Sequence, residues 1–223
     1  MKLDVLSLFP EYFKGPLDTS ILKRAIEKGL LELDLVDIRT YCTDRYQQAD
    51  DRPYGGGPGM VLIAEPVVKA IRAHKSPKSK TIYLSPQGKK LTPKRAQELS
   101  KEEHLVLLCG HYEGIDERAL LAEVDEEISI GDYVLTNGCL PALVLIDALS
   151  RFIPGVLGHE DSVYQDSFES GLLDCPHYTR PQEFEGMEVP EVLLSGHHGK
   201  IDEWRKNMAY EQTLKKRPDL IKR

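Results

Sequence analysis

Three short glycine-containing segments, each following a run of apolar residues, are the part of the sequence best suited to bind a small molecule. They cover residues 83–88, 109–114 and 130–138 and recur at nearly even spacing. If each apolar run is a strand of one parallel sheet, the loops meet at the edge where the strands end, and open parallel sheets bind ligands at that edge. None of the three matches the glycine patterns of dinucleotide-binding or triphosphate-binding loops, so those ligands are not indicated.

A fourth glycine-rich segment, residues 50–60, carries a different chemistry. Asp50 and Asp51 precede Arg52 and a run of glycines bracketed by prolines. Glycines let backbone amides approach a planar or phosphate group closely, and paired carboxylates accept hydrogen bonds from the donor edge of a base such as guanine. The alternative is a flexible surface loop, which the bracketing prolines disfavour.

The elements that would position these loops follow from the apolar pattern. It predicts strands at residues 3–9, 31–38, 81–84, 104–109 and 127–130, and helices at residues 21–29, 65–74, 117–124, 141–152 and 201–214, with a further helix opening at Thr92. Strands that are apolar on both faces and alternate with helices indicate an α/β fold with a covered parallel sheet.

The long connection at residues 39–60 is typical of functional or mobile loops. A polar linker is expected at residues 155–171, with a domain boundary near residue 160.

Composition narrows the class of protein further. The 223 residues are 41% hydrophobic and 29% charged, with no apolar run near the roughly 20 residues that span a bilayer and no signal-peptide pattern at the start. We therefore expect a cytoplasmic protein. The four cysteines are far apart, which favours reduced structural thiols over a zinc site or disulfides.

Charge is unevenly distributed along the chain. A net charge of -7 argues against indiscriminate nucleic-acid binding. Residues 200–223, however, hold eight basic and four acidic side chains. This segment is either a local nucleic-acid patch or an ordinary solvated helix face.

Several irregular strings of the sequence occur together in one known family. They lie at residues 50–60, 83–88, 110–118, 129–135, 151–158 and 171–181, and the similarity runs from about residue 7 to about residue 205. On these strings the chain resembles the bacterial TrmD family, tRNA (guanine-N1)-methyltransferases of the knotted SPOUT superfamily.

The resemblance implies a fold and a division into domains. It implies a parallel sheet with a deep trefoil knot, an exception to the rule that chains do not thread loops, and a small, mainly α-helical C-terminal domain. Residues 1–158 would form the domain that binds S-adenosylmethionine, residues 159–171 the linker, and residues 172–223 the tRNA-binding domain.

By the same resemblance the three loops hold S-adenosylmethionine within the knot. The implied cofactor-binding residues are Tyr83, Leu84, Ser85, Pro86, Gln87, Gly110, Tyr112, Glu113, Ile130, Gly131, Asp132, Tyr133, Val134, Leu135, Gly138 and Pro141. Backbone groups at fixed positions suit the edge of an adenine, and apolar side chains among these residues can enclose its faces.

Methylation of guanine N1 requires removal of its proton and stabilisation of the negative charge that develops at O6. The family has its general base in an Asp-Ser-Phe string, which implies Asp166 here. Arg151 matches the family's catalytic arginine, a permanent cation able to hold O6 or orient the aspartate. From the residues alone, Asp166 is one of several linker carboxylates, and Arg151 equally fits a helix-terminal arginine.

The resemblance also implies partners. The substrate would be the guanine immediately 3′ of the anticodon, tRNA position thirty-seven, recognised with the preceding guanine in the anticodon stem-loop. The implied tRNA-binding residues are Asp50, Asp51, Arg52, Gly55, Gly59, His177, Arg180 and His198. A homodimer is implied because the linker and C-terminal domain of one chain complete the site of the other. The family is described as magnesium-dependent, but no carboxylate cage is evident, so no protein metal ligand is predicted.

Four positions, in three places along the chain, depart from the family pattern. His111 stands where arginine is usual, residues 136–138 read Thr-Asn-Gly instead of Ser-Gly-Gly, and His197 replaces asparagine. The cofactor contact at Asn137 is therefore left out of the predicted set, although backbone contacts should survive these changes.

Two other functions remain compatible with the residues. A non-catalytic RNA-binding module would use the basic C-terminal segment alone, and a related knotted enzyme would methylate ribose 2′-hydroxyls. The presence of Asp166 and Arg151 counts against the RNA-binding module, and ribose methylation would need neither the loop at residues 50–60 nor the Asp-Ser-Phe string.

Overall fold

The computed structural model describes residues 1–158 and 166–221. The chain divides into two compact units, Met1–Gly158 and His159–Arg223. The elements of the first unit are β1 (Lys2–Ser7), α1 (Ser20–Glu27), β2 (Glu32–Asp37), β3 (Asp50–Asp51), β4 (Val61–Leu62), α2 (Ala64–His74), β5 (Ser79–Lys90), α3 (Pro93–Leu99), β6 (His104–Cys109), α4 (Glu117–Glu123), β7 (Glu126–Ser129) and α5 (Cys139–Ser150). Short 3-10 helices at Pro10–Phe13 and Ile38–Tyr41 complete it.

Five strands form one sheet in the order β2-β1-β6-β5-β7, and all their pairings are parallel. Helices α1, α3 and α5 pack on one face, where Leu3 and Val5 of β1 are buried. Helices α2 and α4 pack on the other face, against Leu6 and its neighbours. The predicted α/β class with a covered parallel sheet is therefore confirmed.

Local signals account for where several elements begin and end. Thr92 precedes α3, and its hydroxyl accepts a hydrogen bond from the Arg95 backbone N–H at 3.2 Å. Pro93 follows as the first helical residue, where its missing N–H costs nothing. Every predicted strand and helix except one is found with its ends shifted by at most three residues.

The exception is the strand predicted at residues 81–84, which was too short. Strand β5 continues to Lys90 and includes the segment predicted as the first loop. Leu84 and Lys89 both lie opposite Ile128 of β7, so the chain leaves its partner strand and pairs with it again. Residues 85–90 are largely polar, so the apolar pattern used to predict strands gave no signal there. Backbone hydrogen bonds to β7 hold this part of the strand instead.

The second unit is the smaller of the two. It contains the hairpin β8 (Glu183–Phe184) and β9 (Met187–Glu188), then α6 (Glu191–Leu194) and α7 (His198–Lys216). Thr213 of α7 is fully buried and accepts a hydrogen bond from the Leu173 backbone N–H at 2.8 Å. The hairpin was not predicted. No helix among the described residues is long and apolar enough to cross a membrane.

Candidate active site

The ends of β5, β6 and β7 and the start of α5 enclose a cavity of about 130 Å³. It lies at the carboxyl edge of the parallel sheet, the edge at which such sheets bind ligands. Of the predicted cofactor-binding residues, all except Gln87 and Asp132 line it: Tyr83, Leu84, Ser85, Pro86, Gly110, Tyr112, Glu113, Ile130, Gly131, Tyr133, Val134, Leu135, Gly138 and Pro141. The three glycine-containing segments are thus brought together around one cavity.

Gln87 and Asp132 lie outside this lining. The carboxylate of Asp132 is largely exposed and pairs with the Lys90 ammonium at 2.5 Å. The backbone N–H of Gln87 donates to the Ser85 hydroxyl at 3.1 Å, which shapes the turn. In this structure both residues contribute to the surrounding segments instead of to the cavity wall.

Six residues outside the predicted cofactor-binding set also line the cavity: His111, Gly114, Ile128, Ser129, Thr136 and Asn137. Asn137 has a clear local role, because its side-chain oxygen accepts the Cys139 backbone N–H at 2.9 Å and so satisfies the start of α5. An asparagine two residues before the first helical residue was the available signal, since asparagine is favoured near helix starts.

Backbone pairing joins the second and third loops. His111 and Asn137 form an antiparallel bridge, and the Gly138 N–H donates to the Gly110 carbonyl at 2.8 Å. A Cβ added to Gly138 would lie 2.9 Å from Cys109 Cα and from Gly110 N. Only glycine therefore allows this close approach of the two loops.

The segment at residues 50–60 is anchored to the same region. Asp50 and Asp51 form β3, which pairs with β4. At its other end, the Met60 carbonyl accepts the Glu113 backbone N–H at 3.0 Å. Between these anchors Tyr54 is fully exposed. The glycine-rich run is therefore held at both ends beside a cavity loop.

Two cavity residues have shifted pKa values. Burial, reinforced by the nearby Glu127 carboxylate, raises the pKa of Tyr83 to about 12. Burial lowers the pKa of His111, and the Arg39 cation adds to this effect. The His111 ring packs against Phe9 and Tyr112, and its Nδ1 atom is buried with no hydrogen-bond partner within residues 1–158 and 166–221. A polar group of a bound ligand could satisfy that nitrogen.

A model of the family described as tRNA (Guanine-1)-methyltransferase TrmD matches residues 1–223 of this chain. The chain belongs to the TrmD family. It is 62% identical over 221 residues to a tRNA (guanine-N(1)-)-methyltransferase of Protochlamydia amoebophila, across 99% of this chain and the whole relative. The family resemblance inferred from the sequence strings is therefore confirmed.

Other TrmD relatives differ in length. A protein of the same description from Chlamydia trachomatis serovar D is 62% identical over 220 residues, and the chain spans only 62% of its length. A relative from Carboxydothermus hydrogenoformans is 58% identical over 222 residues, and the aligned part covers 88% of that relative's length.

The two catalytic residues implied by the TrmD resemblance lie in different units. Arg151 directly follows α5 and is exposed. Asp166 is half-buried and is the first described residue after the gap, and the predicted linker residues 159–165 lie outside the described part of the chain. Neither residue is among those that line the cavity.

The predicted tRNA-binding residues of the second unit are largely exposed. His177 Nε2 lies 2.8 Å from an Asp174 carboxylate oxygen. Burial alone would raise the pKa of Asp174, but hydrogen bonds from His177 and from the Cys175 backbone outweigh it and lower that pKa. Arg180 is exposed in the segment before β8, and His198 is the exposed first residue of α7.

The raised pKa of Tyr83 predicts a pH dependence of stability. The folded chain holds the phenol proton more tightly than the unfolded chain, so this stabilisation is complete below pH 10 and is lost as the pH rises towards 12. Relative to the variant Tyr83→Phe, the wild-type free energy of unfolding should fall by about 1 kcal/mol between about pH 9 and pH 11. Urea titrations of both proteins measure it, and identical pH slopes would contradict the assignment.

Proposed function

We propose that this chain transfers the methyl group of S-adenosylmethionine to N1 of the guanine immediately 3′ of the anticodon, tRNA position thirty-seven. The observation that carries the proposal is the convergence of the three glycine-containing segments on one cavity at the carboxyl edge of the sheet. Membership of the TrmD family supplies the reaction class, and two relatives of nearly full coverage are described as tRNA (guanine-N(1)-)-methyltransferases.

The cavity suits the methyl donor by its chemistry. Its wall combines backbone groups of Gly110, Gly131 and Gly138 with apolar side chains. Such a wall can enclose a flat base and hydrogen-bond its edge. The buried, unpartnered His111 Nδ1 adds a polar atom that a ligand could satisfy. S-adenosylmethionine carries its methyl group on a positively charged sulfonium sulfur. This sulfur leaves as a neutral thioether without further activation, so the protein's contribution is to align donor and acceptor.

The acceptor needs more from the protein. We assign Asp166 as the general base that removes the proton from guanine N1. Arg151 would stabilise the negative charge that develops at O6, for which a permanent, planar cation is suited. The half-buried environment of Asp166 and the exposure of Arg151 leave both able to meet a large RNA substrate.

The guanine and its preceding neighbour would be recognised mainly by the segment at residues 50–60. Asp50 and Asp51 offer carboxylate acceptors, which suit the two donors of a guanine edge. Anchoring of this segment to the cavity loop at Glu113 supports its place near the methyl donor. Further tRNA contacts would come from Arg52, Gly55 and Gly59 and, in the second unit, from His177, Arg180 and His198.

We also infer the division of the chain into domains and the presence of the knot. We assign residues 1–158 to a knotted S-adenosylmethionine domain, 159–171 to a linker and 172–223 to a tRNA-binding domain. The return of β5 to β7 after leaving it supports a threaded crossing at this edge.

The chain would work as a homodimer in the cytoplasm. Val134, Leu140 and Val144 are exposed apolar residues on and before α5, and a second copy could cover them. A magnesium ion used in the reaction would be held by substrate and water, because no protein ligand is assigned to it.

The decisive test incubates the purified chain with S-adenosylmethionine and an unmodified tRNA that has guanine at position thirty-seven and at the preceding position. Nucleoside mass spectrometry should detect N1-methylguanine. A tRNA with adenine at position thirty-seven serves as the matched control and should remain unmethylated. A 2′-O-methylated ribose would instead support the related knotted enzyme, and cofactor-independent tRNA binding without any methylation would support the RNA-binding module.

A further inference from the structure

A cluster of ionisable side chains lies at the amino edge of the sheet, opposite the edge that forms the cavity. Asp4 of β1 is in register with Asp34 of β2, and Lys2 is in register with His104 of β6. Register partners in parallel strands point to the same face, as do residues two apart on one strand. His74, the last residue of α2, approaches the same face from above.

The contacts within this cluster centre on one carboxylate. Asp4 Oδ2 lies 3.2 Å from His74 Nδ1 and 2.9 Å from His104 Nε2. His74 Nδ1 is also 3.8 Å from Asp34 Oδ2. The side chain of Asp4 is fully buried, and its other oxygen, Oδ1, is buried with no hydrogen-bond partner within residues 1–158 and 166–221.

A buried, unpartnered carboxylate oxygen is costly, and such groups are normally hydrogen-bonded or bound to a cation. The nearest ammonium, that of Lys2, is 3.2 Å from the other oxygen, and its side chain is 39% exposed. Lys2 therefore balances part of the charge while leaving Oδ1 without a partner. A divalent ion bound by both oxygens of the Asp4 carboxylate would give Oδ1 a partner and contact Asp34 and His74 at the same time.

We propose that Asp4, Asp34 and His74, whose ligand atoms all lie within 4.8 Å of one another, form a binding site for a divalent transition-metal ion, beside which His104 contacts the Asp4 carboxylate. Mixed imidazole and carboxylate ligands suit zinc and its neighbours better than magnesium or calcium. Ligand atoms of a tetrahedral zinc site lie about 3.3 Å apart, given bonds of about 2.0 to 2.1 Å. His74 Nδ1 lies 3.2 Å from Asp4 Oδ2 and 3.8 Å from Asp34 Oδ2, which is close to that spacing.

The surroundings of His74 support this assignment. The second ring nitrogen of His74, Nε2, lies 3.0 Å from the Tyr41 hydroxyl. Metal-binding histidines commonly hydrogen-bond through their second nitrogen, which fixes the ring orientation. Asp34 is 57% exposed, so an ion could enter from its side of the cluster.

An ion at this site would join β1, β2 and α2 at the edge of the sheet remote from the cavity. Its role would therefore be to stabilise the fold, and methyl transfer would not pass through it. The test consequently needs no activity assay.

Cobalt(II) is the suitable probe, because tetrahedral coordination by nitrogen and oxygen gives it visible absorption. Titration of the purified full-length chain should show one bound ion, reversed by a chelator, and zinc should raise the thermal unfolding midpoint. Asp34→Asn removes an exposed ligand and should weaken cobalt binding by at least about tenfold. His74→Gln should do the same.

Glu32→Gln is the matched control, because Glu32 is an exposed acidic residue two positions earlier on β2. It should leave cobalt affinity within about twofold, since Coulomb attraction between exposed groups is screened. Equal weakening by Asp34→Asn and Glu32→Gln would overturn the proposal, as would absence of cobalt binding. A thiolate-to-cobalt band would also overturn it, because it would place the ion at the group formed by Asp174, Cys175 and His177.

Discussion

Replacing Asp166 with asparagine is expected to lower kcat for guanine methylation by about 10³-fold, within the range for loss of a general base. Asparagine has nearly the same shape as aspartate, but it cannot accept the N1 proton at neutral pH. S-adenosylmethionine affinity should be unchanged, because Asp166 is not among the residues that line the cavity. Single-turnover methylation and calorimetric titration of the methyl donor measure the two quantities separately.

Glu169→Gln is the matched control for this prediction. Glu169 lies three residues after Asp166 and also loses one negative charge on substitution. It should methylate tRNA at a rate within about twofold of the wild type, as expected for a half-buried carboxylate to which no part of the chemistry is assigned. If both variants lose activity equally, the effect is one of local charge or folding, and Asp166 is not the base. Full activity of Asp166→Asn would contradict the proposal directly.

Replacing Gly88 with alanine should destabilise the first unit by about 3 kcal/mol, the upper end for overpacking. A Cβ at this position would lie 2.4 Å from the Glu127 carbonyl carbon and 2.5 Å from the Ile128 backbone N. These atoms belong to β7 and cannot move as a flexible side chain can. The thermal midpoint should fall by about 6 to 12 °C, and S-adenosylmethionine binding should weaken because Leu84 and Ser85 line the cavity on the same strand.

Gly199→Ala provides the comparison for Gly88→Ala. Gly199 lies in α7, and a Cβ there would meet no atom within 4 Å. Since alanine favours a helix over glycine by up to about 1 kcal/mol, this variant should be unchanged or slightly more stable. Calorimetric scans of both variants check the pair. A midpoint for Gly88→Ala equal to that of the wild type would contradict the close packing of Gly88 against the backbone of β7.

Local sequence signals predicted some elements of the fold correctly and missed others. The apolar run of β6, residues 104–109, predicted a strand with these bounds, and Thr92 and Pro93 predicted the start of α3. Both signals are local, so they need no knowledge of distant contacts. The extension of β5 to Lys90 depends on backbone pairing with β7, some forty residues further along the chain, and polar side chains give no sign of it.

The candidate site shows the same division. The glycine-containing segments could be recognised from their spacing and their similarity to a known family. The contribution of His111 and Asn137 could not, because these two residues depart from the family pattern and line the cavity through a bridge between two loops. The cluster around Asp4 was also missed, since its members are separated by up to a hundred residues and share no motif.

The sequence by itself determined the alternation of strands and helices, the parallel sheet and the family, because burial patterns, capping residues and irregular strings are properties of short segments. Only the tertiary structure decided which loop residues face the cavity, that β5 pairs twice with Ile128, and that a buried carboxylate meets two histidines. Those features arise from close approach between distant segments. Backbone hydrogen bonds and the packing of individual atoms set that approach, and neither leaves a periodic trace in the order of the residues.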